Sequence, residues 1–339
     1  MHACKIDRSR KIRYTFFIKN GSRYHVNSTI AVVVTYNRLD LLKEGIDALL
    51  LQTVPCDILI VDNASTDDTP LWAGEFCKTH PSVFYENTGA NLGGAGGFNY
   101  GMRCGVELGY DYVWIMDDDA IAKPDALEEL QKADGLLRAE KPDLSYGFLA
   151  SVVYWTDGEL CQMNRQRTKT HYLLKEDVED ALAKEELIPI ETATFVSLLI
   201  PAKTILKVGL PIKEFFIWSD DVEYTVRITI RNKMPSYIVP KSGIIHKTKN
   251  NAGSDIVMDD AERIDRYRYA IRNGNYAYRH YSFRQYCVYL YNLAAKWILV
   301  WLRSKDHKLK RSWVIVSSFL KGLFFHPKVE YVNEKDLKK

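Results

Sequence analysis

The sequence predicts an α/β fold in which a mostly parallel central sheet is flanked by helices and followed by a helical C-terminal region. Short apolar runs rich in Val and Ile alternate with segments of helical periodicity over residues 29–140, and polar residues follow each run. After Ala261 the pattern is helical almost to Pro327. With 339 residues, of which 47% are hydrophobic and 12% aromatic, the chain can bury a large core, which excludes a disordered protein.

The first half of the chain alternates between strand and helix. Strands are predicted at residues 29–35, 57–62, 82–87 and 112–116, and helices at 39–51, at a segment ending near 80, and at 98–108. This alternation is typical of a parallel sheet with helices on both faces. In such sheets ligands bind beyond the carboxyl ends of the strands, so the polar residues at those ends are expected to share one ligand.

The second half is less regular. A helix is predicted from Pro124 to about Glu140, strands at 145–155, 194–201 and 242–247, and a helix at 221–232. Residues 156–189 are polar and aperiodic, as in an insertion or a substrate-facing loop, and 247–255 form a flexible connection. We therefore divide the chain into an extension at 1–27, a main domain at 28–260 and a helical, basic region at 261–339.

The C-terminal region is basic and aromatic. Residues 283–339 contain 12 Lys and Arg against four Asp and Glu, although the whole chain carries only +3. Residues 286–302 are apolar but interrupted by Asn292 and Lys296, and they sit at the short limit for a membrane span. Helices of this kind suit the surface of an anionic bilayer, here the inner face of a membrane. Packing against the main domain or in a homo-oligomer explains them equally well. Nucleic acid is disfavoured, because the aromatic residues lie among aliphatic ones.

The six cysteines show no pairing or zinc-like spacing, which favours reduced thiols and a cytoplasmic protein. The apolar segment at residues 15–18 is too short for the core of a signal peptide. Together with the basic tail, these features predict a cytoplasmic protein bound peripherally to the membrane.

Three consecutive carboxylates, Asp117, Asp118 and Asp119, directly follow the strand at 112–116. A solvated acidic turn would explain one of them. An Asp-x-Asp pair at a strand end also offers hard oxygen ligands for Mg²⁺ or Mn²⁺ bridged to a diphosphate, and Asp117 and Asp119 form that pair.

The glycine-rich stretch at residues 91–98 follows the third strand. Glycines there let the backbone approach a ligand or open an anion-binding helix N-terminus. The spacing is not that of a dinucleotide fingerprint, which would also follow the first strand. A simple glycine turn is the alternative, although its place beside the other strand ends favours contact with the ligand.

A second acidic cluster lies in an aromatic setting at residues 215–224. Asp220 or Asp221 could cap the next helix, and Glu223 suits its first turn. A second acid in the same apolar surroundings would have a raised pKa and could act as a general base. His246, at the end of a short strand, is either an ordinary edge histidine or an imidazole ligand of the metal.

These motifs resemble glycosyltransferase family 2, whose members are inverting enzymes with the GT-A nucleotide-diphospho-sugar transferase fold. The resemblance extends over residues 30–247 and rests on TYNR (35–38), VDNASTD (61–67), NLGGAGGF (91–98), MDDDA (116–120) and WSDDVEY (218–224) in the family's order. The glycine-rich stretch, the W-x-D-D-x-E pattern and the later histidine are most similar to bacterial galactofuranosyltransferases, with rhamnosyltransferases close behind.

The resemblance also implies roles for individual residues. Asp221 would be the catalytic base, and the acceptor site would include Trp218, Asp220 and Glu223. The metal, Mn²⁺ or Mg²⁺, would be held by Asp117, Asp119 and His246, with the roles within the Asp triplet left open. Residues implied at the nucleotide-sugar donor are Thr35, Asn37, Arg38, Asp62, Asn91, Gly94, Asp117 and Asp118.

The implied function is transfer of a sugar, galactofuranose from UDP-galactofuranose in the first instance, to a polysaccharide or lipid-linked glycan in bacterial cell-surface glycan synthesis. A rhamnosyltransferase using dTDP-rhamnose is the alternative. A sugar nucleotidyltransferase would need a basic glycine-rich loop near its first strand, and a dehydrogenase would need glycines there; TYNR is neither. A non-enzymatic scaffold would not need the second acidic cluster and His246.

Overall fold

The computed structural model describes residues 16–19, 22–25, 28–140 and 145–332, and for the first two ranges only the backbone. Most of the predicted extension at 1–27, including Cys4, lies outside these residues, as does the end of the basic tail at 333–339. Within the extension, strands β1 (Phe16–Lys19) and β2 (Ser22–His25) pair antiparallel. The five cysteines in the described residues are free thiols, as expected.

The described main domain is built on one sheet of nine strands. These are β3 (Thr29–Thr35), β4 (Asp57–Asp62), β5 (Val83–Asn87), β6 (Tyr112–Asp117), β7 (Ala120–Ala122), β8 (Leu149–Tyr154), β9 (Ile188–Ile190), β10 (Leu198–Pro201) and β11 (Ser236–His246). The helices are α1 (Leu39–Leu50), α2 (Thr69–Thr79), α3 (Gly93–Glu107), α4 (Ala126–Glu140), α5 (Lys175–Lys184), α6 (Ala202–Val208), α7 (Asp220–Val226), α8 (Tyr267–Tyr281), α9 (Phe283–Arg303) and α10 (Lys308–Leu323).

The strand order is β5–β4–β3–β6–β10–β8–β11–β7, with β9 paired to β11. The first four strands of this order, β5, β4, β3 and β6, run parallel, as predicted. Strand β10 is antiparallel to both of its neighbours, and β8 and β11 are again parallel. The sheet is thus parallel in one half and mixed in the other, and the carboxyl ends of β3, β4 and β6 share one edge.

Both faces of the sheet are covered, which explains the uninterrupted apolar runs. Along β3, Ile30 and Val32 belong to the core on one face, whereas Ala31 and Val33 belong to the core on the other, and all four are buried. Strands buried on both faces read as continuous rather than alternating hydrophobic runs. Trp114 of β6 is fully buried in the second core, where its indole N–H donates to the Ser197 hydroxyl over 2.9 Å.

Helix α3 begins at Gly93, so the prediction of a helix start at Phe98 was wrong. Most of the glycine-rich stretch is helical and packs tightly on the sheet. A Cβ atom on Gly97 would lie 2.5 Å from Val34 Cγ1, and one on Gly101 would lie 2.3 Å from Val32 Cγ1. Glycine is a poor helix former, which misled the prediction. Here it is needed because the helix axis approaches β3 too closely for any side chain.

Two further differences lie in the second half. The polar stretch at 156–189 contains α5 and the start of β9 rather than a single loop. Strand β11 begins at Ser236, whereas the predicted start was at 242. The prediction missed the first half of the strand because Pro240 interrupts its sequence pattern. Proline has no N–H for the ladder, and the register with β8 shifts between Val239 and Gly243.

The three long C-terminal helices pack against the main domain. Tyr276 and Ala277 of α8 share a core with Phe215 and with Ala95 of α3, and α9 and α10 close over Trp218 and Ile256 in another. Their outer faces remain exposed, with Phe283 85% and Trp313 67% accessible. In the part of the chain that the structure describes, no helix combines the length and apolarity required to cross a bilayer.

Candidate active site

The acidic triplet lies where β6 ends, beside the end of β3. The candidate ligand atoms of Asp117, Asp119 and His246, the last residue of β11, all lie within 4.8 Å of one another. The sheet brings them together because β7, which follows the triplet, pairs with the end of β11, with His246 opposite Ala120. The predicted metal-binding residues therefore form one compact group.

Asp118 has different partners from its two neighbours. It accepts a hydrogen bond from the Thr35 hydroxyl over 2.8 Å and one from Arg38 Nη1 over 2.9 Å. Arg38 also reaches Asp119, with 2.7 Å between Nη2 and Oδ2. Arg38 is thus the counter-charge that three adjacent carboxylates require, and Asp118 ties the ends of β3 and β6 together.

Arg38 is one cation beside three clustered acids, and His246 is the second, since contact with Asp119 raises its pKa to about 10 although burial opposes this. Two cations do not balance three acids. Burial, and then repulsion by Asp119, raises the pKa of Asp117 to about 7. Burial raises the pKa of Asp118 to about 6 although Arg38 opposes it. For Asp119, burial acts upward, but the hydrogen bond with His246 and the charge of Arg38 outweigh it and lower the pKa to about 2. The cluster therefore favours an additional cation.

The donor set fits a hard divalent cation. Two carboxylates and one imidazole converge from separate elements, and oxygen-rich sites with a single nitrogen ligand accept Mg²⁺ and Mn²⁺. Asp119 and His246 are buried, whereas Asp117 is partly exposed.

A buried amide orients the metal-site histidine. His246 Nε2 lies 2.9 Å from Asp119 Oδ1, and Nδ1 lies 2.6 Å from Oδ1 of Asn164. Because an amide oxygen only accepts, Nδ1 carries the proton of that bond. Asn164 is itself held, since its Nδ2 donates to the Thr194 hydroxyl over 3.1 Å and Cys161 Sγ lies 3.0 Å from its Oδ1. Sequence reasoning missed Asn164, which comes from the aperiodic polar stretch.

The second acidic cluster follows a strained turn. Three non-glycine residues have positive φ angles just before α7, namely Phe216 (64°), Trp218 (66°) and Ser219 (66°). Such conformations cost free energy and persist where surrounding contacts enforce them. Asn273 of α8 supplies these contacts, because its fully buried amide nitrogen lies 2.8–3.0 Å from three carbonyl oxygens, those of Phe215, Ile217 and Trp218.

Asp220 and Asp221 open α7 from this turn. Removal from solvent raises the pKa of the Asp221 carboxyl to about 6, although the Val222 backbone N–H donates to it over 2.7 Å. Burial and the charge of Asp221 raise the pKa of Asp220 well above its ordinary value. Of the two carboxyls, Asp221 is therefore the one that ionises more readily.

An open cleft of ≈ 1090 Å³ joins the two acidic clusters. Arg38, Gly94 and the metal-binding residues lie along one part of it, and Trp218, Asp220 and Asp221 along another. Helices α8 and α9 complete the wall with residues that sequence reasoning did not place in the site, among them Tyr267, Tyr278, Tyr289, Asn292 and Lys296. The ring centres of Trp218 and Tyr267 lie 5.2 Å apart. The C-terminal region therefore forms part of the cleft wall.

Several predicted site residues lie outside the cleft. Asp62 is fully buried and accepts hydrogen bonds from the Tyr85 hydroxyl and the Ser65 N–H. Asn37 accepts from the Thr66 N–H, and Asn91 from the Gly93 N–H at the start of α3. These residues shape the strand-end loops in the state described.

Glu223 is also directed away from the cleft. It is 2% exposed and forms an ion pair with Arg227 one helical turn later, with 2.7 Å between Oε2 and Nη2. Since the same guanidinium donates to the carbonyl oxygens of Val208 and Leu210, this pair ties α7 to the segment that follows α6.

Comparison with known proteins agrees with this geometry. The sequence profile described as "Glycosyl transferase family 2" matches residues 30–142, which span β3 to α4 and include the acidic triplet.

This chain is similar to members of glycosyltransferase family 2. It is 33% identical over 210 residues to the galactofuranosyltransferase GlfT1 of Mycobacterium tuberculosis, an alignment that covers 61% of this chain and 66% of that protein, just under two thirds of its length. It is 28% identical over 241 residues to the N-acetylglucosaminyl-diphospho-decaprenol L-rhamnosyltransferase of the same species, covering 66% of this chain and 77% of that protein.

The fold of this chain is the GT-A fold, as expected. A crystal structure of GalNAc-T7 with UDP, GalNAc and Mn²⁺ superimposes with a TM-score of 0.51 and 12% identity, covering 71% of this chain and 48% of that one. At this identity the likeness concerns the fold alone. The family match at 30–142 does not include Asp221 and His246.

Proposed function

We propose that this protein is an inverting, metal-dependent glycosyltransferase that moves a sugar from a nucleotide diphosphate to a hydroxyl of a glycan or lipid-linked glycan. The observation that carries the proposal is that Asp221, a carboxylate with a pKa of about 6, shares one cleft with the group Asp117, Asp119 and His246. A base and a divalent-cation site in one cleft are what glycosyl transfer from a diphosphate donor requires.

In the proposed reaction Asp221 accepts the proton of the acceptor hydroxyl as its oxygen forms a bond to the anomeric carbon of the donor. The bond between that carbon and the diphosphate oxygen breaks on the opposite face, and its electron pair leaves with the nucleoside diphosphate. A divalent cation held by Asp117, Asp119 and His246 would neutralise charge on the leaving diphosphate. With one base and no carboxylate nucleophile, the configuration inverts, by the geometric logic known from glycoside hydrolysis.

The proposed donor is UDP-galactofuranose, because relatives that align over 210 and 215 residues at 33% and 29% identity are named galactofuranosyltransferases. Transfer of rhamnose from dTDP-rhamnose is the second candidate, supported by the similarity to a rhamnosyltransferase. The proposed setting is synthesis of bacterial cell-surface glycans. A galactofuranosyltransferase should release UDP from UDP-galactofuranose faster than from UDP-galactopyranose, and should release little dTDP from dTDP-rhamnose.

Metal dependence is tested in the same assay. Nucleotide release should fall to background in excess EDTA and return with Mn²⁺ or Mg²⁺. Full activity of protein confirmed to be metal-free would contradict the proposal. A nucleotidyltransferase would instead produce pyrophosphate from a nucleoside triphosphate and a sugar phosphate, which the same preparations can be tested for.

We further propose that the protein binds the inner membrane surface peripherally through α9 and α10. Large apolar side chains on these helices are exposed, including Phe283, Tyr291, Leu302, Leu309, Trp313 and Phe324. Basic residues accompany them along both helices, and an apolar face beside cations suits the interface of an anionic bilayer. An acceptor confined to that surface would then be close to the cleft, which α8 and α9 help to form.

A further inference from the structure

A second, smaller pocket of ≈ 190 Å³ opens on the far side of the proposed base. Asp221, Val222 and Tyr278 line both this pocket and the main cleft, so the two spaces meet at the carboxylate. Part of the remaining wall comes from the polar stretch at 156–189, which contributes Arg165 and Arg167. A molecule in this pocket can therefore present a group to Asp221 while contacting both arginines.

The two arginines lack anionic partners within the described residues. Arg165 donates to neutral oxygens, with 3.1 Å from Nε to the Leu173 carbonyl and 3.3 Å from Nη1 to Gln162 Oε1. Arg167 lies over the Tyr172 ring, 5.3 Å from its centre, and its buried Nε–H has no hydrogen-bond partner. A buried donor on a cation without an acceptor is unusual and indicates a missing ligand.

The two arginines that are fully buried in the described residues, Arg227 and Arg311, are paired, unlike Arg165 and Arg167. Arg279 also has a buried Nη2 without a partner, but it lies outside this pocket. Arg227 bonds Glu223 and two backbone carbonyls, and Arg311 pairs with Asp306 and donates to the carbonyl oxygen of Ile256. Those arginines hold the fold together. The backbone of Arg167 is already fixed by bridges to Tyr172 and Thr192, so its guanidinium is not needed to hold the segment in place.

We infer that this pocket binds an oxyanion, a phosphate or a carboxylate, carried by the saccharide acceptor whose hydroxyl faces Asp221. Guanidinium groups match the planar or tetrahedral oxygens of such anions, and tyrosine side chains at 172, 278 and 281 supply the aromatic wall and hydroxyls typical of a small-ligand site. The Glu191 carboxylate beside the pocket accepts from the Tyr281 hydroxyl, so it does not neutralise the arginines by direct pairing. The inference rests on the proposed glycosyl transfer and adds the chemical class of its acceptor.

The test uses the full chain and three saccharide probes: galactose 1-phosphate, glucuronic acid and neutral methyl galactoside. Binding is measured by calorimetry in the presence of UDP and Mn²⁺. The wild type should bind one of the anionic probes at least about ten-fold more tightly than the neutral one, since a charge-assisted pair contributes that much. Preference for the phosphate identifies a phosphorylated acceptor, and preference for the uronate identifies an acidic sugar; either result supports the inference.

Substitutions of the two arginines test whether they cause the preference for the anionic probe. Arg167→Gln and Arg165→Gln should abolish the preference for the anion, and Arg167→Lys should keep part of it. Lys169→Gln, which removes an exposed charge from the same segment outside the pocket, is the matched control and should leave the preference intact. Unchanged UDP affinity in each variant shows that the protein is folded.

Equal binding of the neutral and anionic probes, or a preference that survives in the Arg165→Gln, Arg167→Gln double variant, would overturn the inference. So would inorganic phosphate binding as tightly as the sugar phosphate, because the pocket would then recognise no saccharide. Hydrolysis of the donor without acceptor is measured in parallel. Its absence with every donor counts against the proposed function, whereas its presence without anion preference counts against the pocket alone.

Discussion

Asn164 Oδ1 accepts a hydrogen bond from Nδ1 of His246 over 2.6 Å, and this contact fixes which nitrogen of the ring faces the carboxylates. Metal-binding histidines commonly donate their second N–H to an oxygen acceptor, which sets the tautomer and orients the ring. Asn164 is 7% exposed and reaches His246 from a segment far away in sequence. It is thus a positioning residue for the proposed metal site rather than a ligand.

Replacing Asn164 with Ala should lower the affinity for Mn²⁺ by about 10–100-fold, because the imidazole loses the oxygen acceptor that orients it on the Nδ1 side. Titration of Mn²⁺ monitored by electron paramagnetic resonance measures this directly, without turnover. Asn164→Asp keeps an oxygen acceptor at the same place and should retain most of the affinity. Wild-type Mn²⁺ binding by the Ala variant would show that the contact does not orient His246.

Replacing Asp221 with Asn should lower kcat by a factor of about a hundred or more, since an amide of nearly the same shape cannot accept the acceptor's proton. UDP affinity should change little. Asp220→Asn is the comparison, because burial raises the pKa of Asp220 well above its ordinary value and makes it the less suitable base of the two. A larger loss for Asp220→Asn than for Asp221→Asn would move the role of base to Asp220.

The rate should depend on pH through Asp221. Its pKa is raised to about 6, and only the ionised form accepts a proton. The kcat is therefore expected to fall as the pH drops through about 6 and to be level above it. A pH series at saturating donor and metal gives the inflection, and the residual rate of Asp221→Asn should lack it. An acidic limb that persists in that variant must come from another group.

Membrane binding should require the exposed apolar side chains of α9 and α10. In flotation experiments the wild type should rise with anionic vesicles at low salt and less so at high salt. Leu309→Ser combined with Trp313→Ser should reduce the bound fraction by about ten-fold or more, as expected from the loss of two large apolar groups. Leu71→Ser removes a side chain of similar exposure from α2 and should have no effect. Wild-type protein that stays with the soluble fractions would leave only the packing role of these helices.

The first half of the fold was predictable because its strands are buried on both faces. Ile30 to Val34 contact cores on both sides of the sheet, which produces an apolar run that no amphipathic helix shows. The acidic triplet was predictable as a site for the same reason, since a parallel strand order fixes which chain segments end at one edge. The prediction assigned His246 to this site from a motif. In the structure, the pairing of β7 with β11 places His246 beside the triplet.

The rest depended on tertiary contacts that no local pattern records. Asn164 is one polar residue in an aperiodic stretch, and its role arises only because β11 brings His246 beside it. Glu223 has the spacing of a site residue, yet it forms an ion pair with the buried Arg227 one helical turn later. The start of α3 was predicted wrongly because glycine has a low helix propensity. Its glycines are present because the helix packs closely on the sheet.

The contacts of Asn273 affect how a deletion of the C-terminal region should be interpreted in cells. Because this α8 residue holds the turn that carries Asp220 and Asp221, a truncation that removes the helices would disable the catalytic centre as well as any membrane attachment. A deletion phenotype would then be ambiguous between mislocalisation and inactivity. Point substitutions on the outer faces of α9 and α10, which leave Asn273 in place, are the genetic tool that separates the two.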